Sequence, residues 1–268
     1  MTERPLVRVE NNDGVFTLYI DRPEKRNAMN PEMHRQMHRI LSELRFDPKL
    51  RVLVITGVGE SFCAGQDIKE YLHDLDPQEA AAERDRMRTL SNEWRNHILR
   101  LFPAPTIAAV NGWCFGGGLS IVCSCDIAIA ADEATFGLSE INFGGVPGGV
   151  TRGILETLRP RESLYYALTG KPFGGKRAAE IGLVTMAVPI ARLMEEVYEH
   201  AALLKTKDTV ALRETKETFK LASRMDYEAA FSFTNAKVNE ANFLQGRGGV
   251  HQGVDDFLQG KLKPGLST

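Results

Sequence analysis

Three consecutive glycines, Gly116, Gly117 and Gly118, stand between an apolar run at 106–110 and a small-residue segment at 119–125 with the character of a helix start. Glycine lets the backbone approach a ligand closely, and the first turn of a helix leaves N–H groups without partners. Such donors suit an anion, or an oxygen that becomes one during a reaction. Farther along the same stretch a carboxylate, Glu140, sits among Leu138, Ile141 and Phe143. A carboxyl in apolar company has its pKa raised, as a general acid or base at neutral pH requires. Donors and a base from one segment point to enolate chemistry.

Other residues invite other chemistries. Ser120 lacks the G-x-S-x-G elbow of a serine hydrolase, and none of the six histidines is placed as its base, so a capping or ligand-contacting hydroxyl is the better reading. The glycine spacing fits neither the dinucleotide fingerprint nor the phosphate loop. His34 and His38 lie four apart, as two metal ligands on a helix would, but without the glutamate of H-E-x-x-H they read as an exposed polar face. Cys123 and Cys125 have no second pair to complete a zinc site, so no metal is expected. Lys25 and Arg26 are either a solvated loop pair or a phosphate contact; residue type leaves both open.

The elements that must position these groups can be read from periodicity. Two alternating runs at 6–9 and 15–20 flank Asn11-Asn12-Asp13-Gly14 and read as a hairpin. Asn30 and Pro31 open an amphipathic helix over 31–46, with Met33, Met37, Ile40, Leu41 and Leu44 on its apolar face. A buried strand at 52–56 leads into a second strand-to-helix turn at 61–69. Residues 74–83 are polar and read as a mobile connection. Met87, Leu90, Trp94, Ile98 and Leu101 mark another helix, ended by Pro103 and Pro105. Another strand is expected at 126–131. From 161 onward the pattern is helical. The expected organisation is an α/β core over 1–190 and a helical region over 191–268.

The chain has 268 residues, 43% hydrophobic and 25% charged, the balance of a globular protein. A net charge of -2 offers no general attraction to nucleic acid or an anionic membrane, so neither is expected as a partner. No apolar run is long enough to span a bilayer, and the N-terminus lacks a signal peptide's apolar core. Four cysteines, Cys63, Cys114, Cys123 and Cys125, in apolar contexts read as reduced, buried thiols. A cytoplasmic location is the expectation.

Taken together, R-P-E-K-R-N-A-M at 22–29, F-C-A-G-Q-D-I at 62–68, N-G-W-C-F-G-G-G at 111–118 and A-D-E-A-T-F-G-L-S-E at 131–140 resemble the crotonase (enoyl-CoA hydratase/isomerase) superfamily. The similarity runs on through 168–170, 178–184 and the C-terminal F-L-Q-G-K. It is strongest toward the hydroxycinnamoyl-CoA hydratase-lyase branch, through N-G-W-C-F-G-G-G, Ser120, S-L-Y-Y at 163–166 and T-G-K-P-F-G-G at 169–175. The resemblance implies a ββα spiral with a helical C-terminal trimerisation region, assembled as a homotrimer or hexamer. It implies an acyl-CoA thioester substrate and no cofactor, coenzyme A being part of the substrate. The backbone N–H groups of Gln66 and Gly117 would hold the thioester oxygen, and Glu140 would carry the protons. Simple hydratases place a glutamate where this chain has Ser120, so a single carboxylate would serve both proton transfers. Lys25, Arg26, Ala28, Ala64, Asp67 and Ile68 match segments that line the nucleotide of coenzyme A, and Phe257 and Lys261 match the part that completes a neighbour's pocket. The branch carries methionine at Gln66 and a tyrosine in the stretch around Asn235; Tyr71 matches another tyrosine able to bind a phenol oxygen.

Overall fold

A computed structural model describes residues 4–70, 80–246 and 252–261. The chain opens with β1 (Val7–Asn12) and β2 (Val15–Ile20), an antiparallel hairpin in which Val7 faces Ile20. It continues through α1 (Pro31–Leu44), β3 (Val52–Gly57), β4 (Ser61–Cys63) and α2 (Ala80–Asn92). Then come β5 (Thr106–Val110), β6 (Trp113–Phe115), α3 (Gly117–Ser124), β7 (Ile127–Ala131) and β8 (Thr135–Gly137). Four helices and two short strands come next: α4 (Gly148–Thr157), α5 (Pro160–Thr169), β9 (Phe173–Gly174), α6 (Gly175–Glu180), β10 (Met186–Val188) and α7 (Leu193–Lys205).

The strands fill two sheets by a simple alternation. β3, β5 and β7 pair in parallel inside a six-stranded sheet of order β1-β2-β3-β5-β7-β10. The strand after each of them, β4, β6 and β8, enters a four-stranded sheet of order β4-β6-β8-β9. Each turn of chain thus gives one strand to each sheet, and helices return it to the next turn. This is a ββα spiral. The inner strands VLVIT, TIAAV and IAIAA are apolar on both faces, as a parallel sheet covered on both sides requires. Leu53, Ile55, Ile107, Ala109 and Ile129 have no exposed surface.

Most of the expected elements are present. Asn30 caps α1, its side-chain oxygen accepting from the Met33 N–H at 2.9 Å. The polar connection expected over 74–83 is helical from Ala80 onward, and 71–79, with Tyr71, lie outside the described residues. The helix expected to carry Trp94 changes its winding: α2 passes into a π-helical turn at Glu93–Leu99. The extra residue per turn shifts the phase of the helix, and Trp94 and Arg95 are both buried.

Two compact units divide the chain, Met1–Thr206 and Lys207–Thr268. The division expected at 190 falls before α7, which packs on β3, β5 and β7 and so lies within the first unit. The second unit contains α8 (Thr209–Ala222), α9 (Tyr227–Leu244) and α10 (Gln252–Leu258). Asp208 and Asp226 cap α8 and α9, and Lys237 binds Glu214, Glu217 and Glu240 across the pair. Among the described residues no helix is long and apolar enough to cross a membrane.

Candidate active site

The glycine-rich run forms the turn between β6 and α3. Gly116 has φ +48°, and its N–H donates to the Gly137 carbonyl at 3.0 Å, so the turn is tied to the end of β8. The second strand-to-helix turn lies against it. Residues 26–29 and 64–67 run side by side: the Ala64 N–H donates to Arg26 (3.0 Å), Met29 to Gly65 (2.7 Å) and Asp67 to Met29 (2.9 Å). A Cβ on Gly65 would come within 3.3 Å of the Gly117 nitrogen, so the two turns touch where they leave their strands. Among the described residues neither the Gln66 nor the Gly117 N–H has a hydrogen-bond partner. Two adjacent donors of this kind suit an oxygen that gains negative charge.

Glu140 begins a short 3-10 turn, Glu140–Phe143, closed by Gly144 in the left-handed region at φ +70°. Its Oε2 is buried and has no hydrogen-bond partner among the described residues. Burial pushes the carboxyl above the usual range, against the smaller opposing effect of its own backbone N–H. Of the apolar neighbours that sequence offers as the cause, Leu138 is buried but Ile141 and Phe143 are exposed, Phe143 by 73%, and the carboxyl also lies against the bare backbone of Gly116. A Cβ at 116 would stand 3.0 Å from Glu140 Oε1. Gly116→Ala should therefore displace the carboxyl and also strain the turn, whose φ of +48° disfavours any side chain. About a hundred-fold loss of kcat is expected for a misplacement of roughly 1 Å. A wild-type rate in this variant would show that Glu140 does not need its seat on Gly116.

Gln66, Gly117 and Glu140 line one cavity of about 640 Å3. Its floor is the glycine turn, one wall is the start of α4 at Gly148–Val150, and the other presents Arg88, Asn92, Arg95 and Asn96 from α2 and the π turn. Among the described lining residues Glu140 is the one carboxylate. Arg95 spans from Ser91, to whose carbonyl its Nε donates, to the Gly117 carbonyl, which accepts from Nη1 at 3.1 Å. The guanidinium thereby braces the first turn of α3.

Ser120 lies outside this lining. It is buried, and its hydroxyl donates to the Gly149 carbonyl at 3.1 Å, pinning the α4 wall to α3. Lys25, Arg26 and Ile68 are exposed and Ala28 and Ala64 half-buried along the paired 26–29 and 64–67 segments, which together form one surface ribbon. Arg26 stands over the exposed Trp113 ring, 5.1 Å from its centre. Asp67, by contrast, is committed internally: Oδ2 accepts from Arg22 at 2.7 Å and Oδ1 from the Lys69 and Glu70 N–H groups. Burial alone would raise its carboxyl, but Arg22 and these donors outweigh burial and hold it low. Asn235 is exposed on α9, and Phe257 and Lys261 lie on and just beyond α10.

His34 overturns the expectation of an exposed polar face. It has no exposed surface and sits between the Trp94 indole N–H, 3.0 Å from Nδ1, and Gln66 Oε1, 2.8 Å from Nε2. The signal was present in its position, since His34 shares the apolar stripe of Met37 and Leu41 on α1. The four cysteines are buried and free of disulfides, as read from sequence. Among the described residues no three His, Cys, Asp or Glu side chains converge as a metal site would need.

The ββα spiral brings the turns after β4 and β6, with two N–H groups unpartnered among the described residues, to the cavity that Glu140 lines. The chain matches the enoyl-CoA hydratase/isomerase family over residues 10–264 and belongs to it. It is 46% identical over 264 residues to the hydroxycinnamoyl-CoA hydratase-lyase of Pseudomonas fluorescens, covering 98% of this chain and 95% of that protein. It is 32% identical to a mevalonyl-coenzyme A hydratase of Aspergillus fumigatus, across 93% of this chain and 90% of the other. The crystal structure of an enoyl-CoA hydratase from Mycobacterium smegmatis superposes with a TM-score of 0.88, across 96% and 98% of the two chains. At 24% identity that likeness speaks to the fold alone.

Proposed function

We propose that this enzyme hydrates a hydroxycinnamoyl-CoA, such as feruloyl- or 4-coumaroyl-CoA, and cleaves the product to an aromatic aldehyde and acetyl-CoA. The observation that carries the reading is Glu140, a desolvated carboxyl and the one carboxylate among the described residues lining the cavity that the Gln66 and Gly117 N–H groups border. The 46% identity to a hydratase-lyase supports it over nearly the whole chain.

The thioester oxygen sits between the two N–H groups. Ionised Glu140 takes a proton from water as the water oxygen bonds to the β-carbon, and the thioester becomes an enolate held by both donors. The α-carbon then takes that proton, which gives the β-hydroxy thioester and returns Glu140 to its carboxylate. In the second stage Glu140 removes the β-hydroxyl proton. The Cα–Cβ bond breaks as the carbonyl of the aldehyde forms, and its electron pair returns to the enolate of acetyl-CoA. Protonation at the α-carbon completes acetyl-CoA. Each oxyanion donor can supply roughly 3–4 kcal/mol to these steps. Ser120 serves by fixing the Gly149 wall, and the ribbon carrying Lys25 and Arg26 meets the phosphates of coenzyme A. Asp67 acts through Arg22, not through the nucleotide. Exposed Phe219, Tyr227, Phe231 and Phe243 on α8 and α9 support assembly into a homotrimer or a pair of trimers. With no membrane span among the described residues, we place the enzyme in the cytoplasm.

Purified protein incubated with feruloyl-, 4-coumaroyl- and crotonyl-CoA tests the reaction. Aldehyde and acetyl-CoA in equal amounts are expected from the first two. A second reading, an enoyl-CoA hydratase or isomerase for a different acyl group, is favoured by the stretch Phe231-Ser232-Phe233-Thr234-Asn235, which has no tyrosine to hold a phenol. Hydration without any aldehyde would decide for it.

The raised carboxyl sets the pH profile. Glu140 must be ionised to act as base, so kcat/KM should fall on the acid side with an apparent pKa above the ordinary carboxylate value. An acid limb at or below the ordinary value would remove Glu140 from that role.

A further inference from the structure

We propose that the side-chain amide of Gln66, and not only its backbone, binds substrate: it is a hydrogen-bond donor that selects acyl groups bearing an oxygen, and Trp94 and His34 position it. The inference rests on the acyl-CoA reading above and goes further into the acyl pocket.

The orientation of a glutamine amide is ordinarily ambiguous, because its oxygen and nitrogen look alike. Here a one-way chain of hydrogen bonds decides it. An indole N–H can only donate, so His34 Nδ1, 3.0 Å from Trp94 Nε1, must accept and carries no proton. Neutral imidazole then holds its proton on Nε2, which donates to Gln66 Oε1 at 2.8 Å. Burial keeps the ring neutral, pushing its pKa down to about 4 against the raising effect of the Gln66 bond, with Arg95 and Arg35 adding to the downward shift. With Oε1 taken, the NH2 end of Gln66 is the end that faces the glycine turn. Its Nε2 would lie 3.7 Å from a Cβ on Gly117, and Gln66 lines the same cavity as Glu140.

That donor faces the space an acyl group must occupy when its thioester oxygen reaches the Gly117 N–H. The wall beyond it, Arg88, Asn92, Arg95 and Asn96, is polar but bonded within the protein: Arg95 to Ser91 and Gly117, Asn96 to Asn92, Arg88 to Asp85. A hydrocarbon acyl chain would strip water from the Gln66 amide and return nothing, a penalty that disfavours it. An acyl group with an acceptor oxygen at its far end, such as a phenol or phenolate, would satisfy the amide.

Calorimetric binding to the Glu140→Ala enzyme, which cannot turn over, separates the possibilities. The probes are 4-coumaroyl-CoA and cinnamoyl-CoA, which differ by the ring oxygen. The parent should bind the coumaroyl thioester about tenfold more tightly, the size of one buried hydrogen bond. Adding Gln66→Met should bring that ratio close to one by weakening coumaroyl-CoA alone. Gln66→Glu keeps the size and the His34 bond but puts a carboxylate there, which accepts from a phenol O–H and repels a phenolate, so the preference for coumaroyl-CoA should fall as pH rises and the phenol ionises. His34→Leu should lose the preference and His34→Gln, which can still accept from Trp94 and donate to Gln66, should keep it. A ratio unmoved by Gln66→Met and Gln66→Glu overturns the amide's role, and one unmoved by His34→Leu overturns the positioning chain. Failure of the parent to bind either thioester would instead overturn the acyl-CoA reading itself.

Discussion

Glu140→Gln should lower kcat on 4-coumaroyl-CoA by about 10²–10⁴-fold, the range of a lost general acid–base group, and leave the protein folded. The size of the effect comes from its solitude. Among the described residues lining the cavity there is no second carboxylate to take over either proton transfer, and Ser120 has its hydroxyl engaged by Gly149. The same substitution should leave stability unharmed or improved at neutral pH, and this separates a working residue from a structural one. A carboxyl whose pKa is raised in the folded state binds its proton more tightly there than in the unfolded chain. Its contribution is therefore full below the unfolded pKa and is lost as pH rises through the folded value. At pH 7 the native protein bears the cost of an ionised, desolvated carboxylate that glutamine does not have. Thermal melts of the two proteins should show the variant equal or higher at pH 7, with any advantage gone below the ordinary carboxylate range. A variant that melts well below the native protein at pH 7 would make Glu140 a structural group, and the lost activity would then say nothing about protons.

How much of this could be read from the chain depends on whether a group's environment is made locally. The strands β3, β5 and β7 are continuous apolar runs, and α1 announces itself through Asn30, Pro31 and a helical stripe, so local pattern and tertiary role agree. α4 was hidden by its own composition, since Gly148, Gly149 and Gly153 depress helix propensity and the helix depends on its packing, chiefly against α3. β9 and β10 are too short to show a period. The glycine turn and Glu140 were legible as residues, but the cause of the carboxyl's desolvation was not. The carboxyl lies against Gly116, a contact that local sequence does not show, while of its apolar neighbours Ile141 and Phe143 are exposed and Leu138 is buried. His34 and Arg95 were missed for related reasons. A polar residue on an apolar stripe is ambiguous until its partners are known, and a π turn changes the phase on which the helix reading depends.

Arg22 bears the second large effect, on stability. Its side chain is buried, with Nη1 2.7 Å from Asp67 and donating also to the Ala28 carbonyl, while Nη2 meets Glu70. It thereby fastens the 22–29 loop to the 64–70 segment, the two pieces whose pairing carries Gln66 into the site and forms the surface ribbon. Arg22→Met should cost about 3–5 kcal/mol, because it leaves Asp67 buried and charged without its partner. A fall in Tm on the order of 10 °C is the corresponding shift. Asp67→Asn should show the same dependence from the other side. The Asp67 carboxyl is held below its usual value, so its contribution is present above the unfolded pKa and is lost as pH falls through the lower folded value. The gap in stability between native protein and Asp67→Asn should therefore close toward low pH. Joining Arg22→Met to Asp67→Leu should recover part of the loss, since the double change removes the stranded charge, and Glu70 is partly exposed and keeps its bond from Asn30. An Arg22→Met protein as stable as the native one would mean that backbone pairing alone holds the ribbon. In that case activity, and not the melting temperature, should be the property that Arg22 governs, through the aim of the Gln66 N–H.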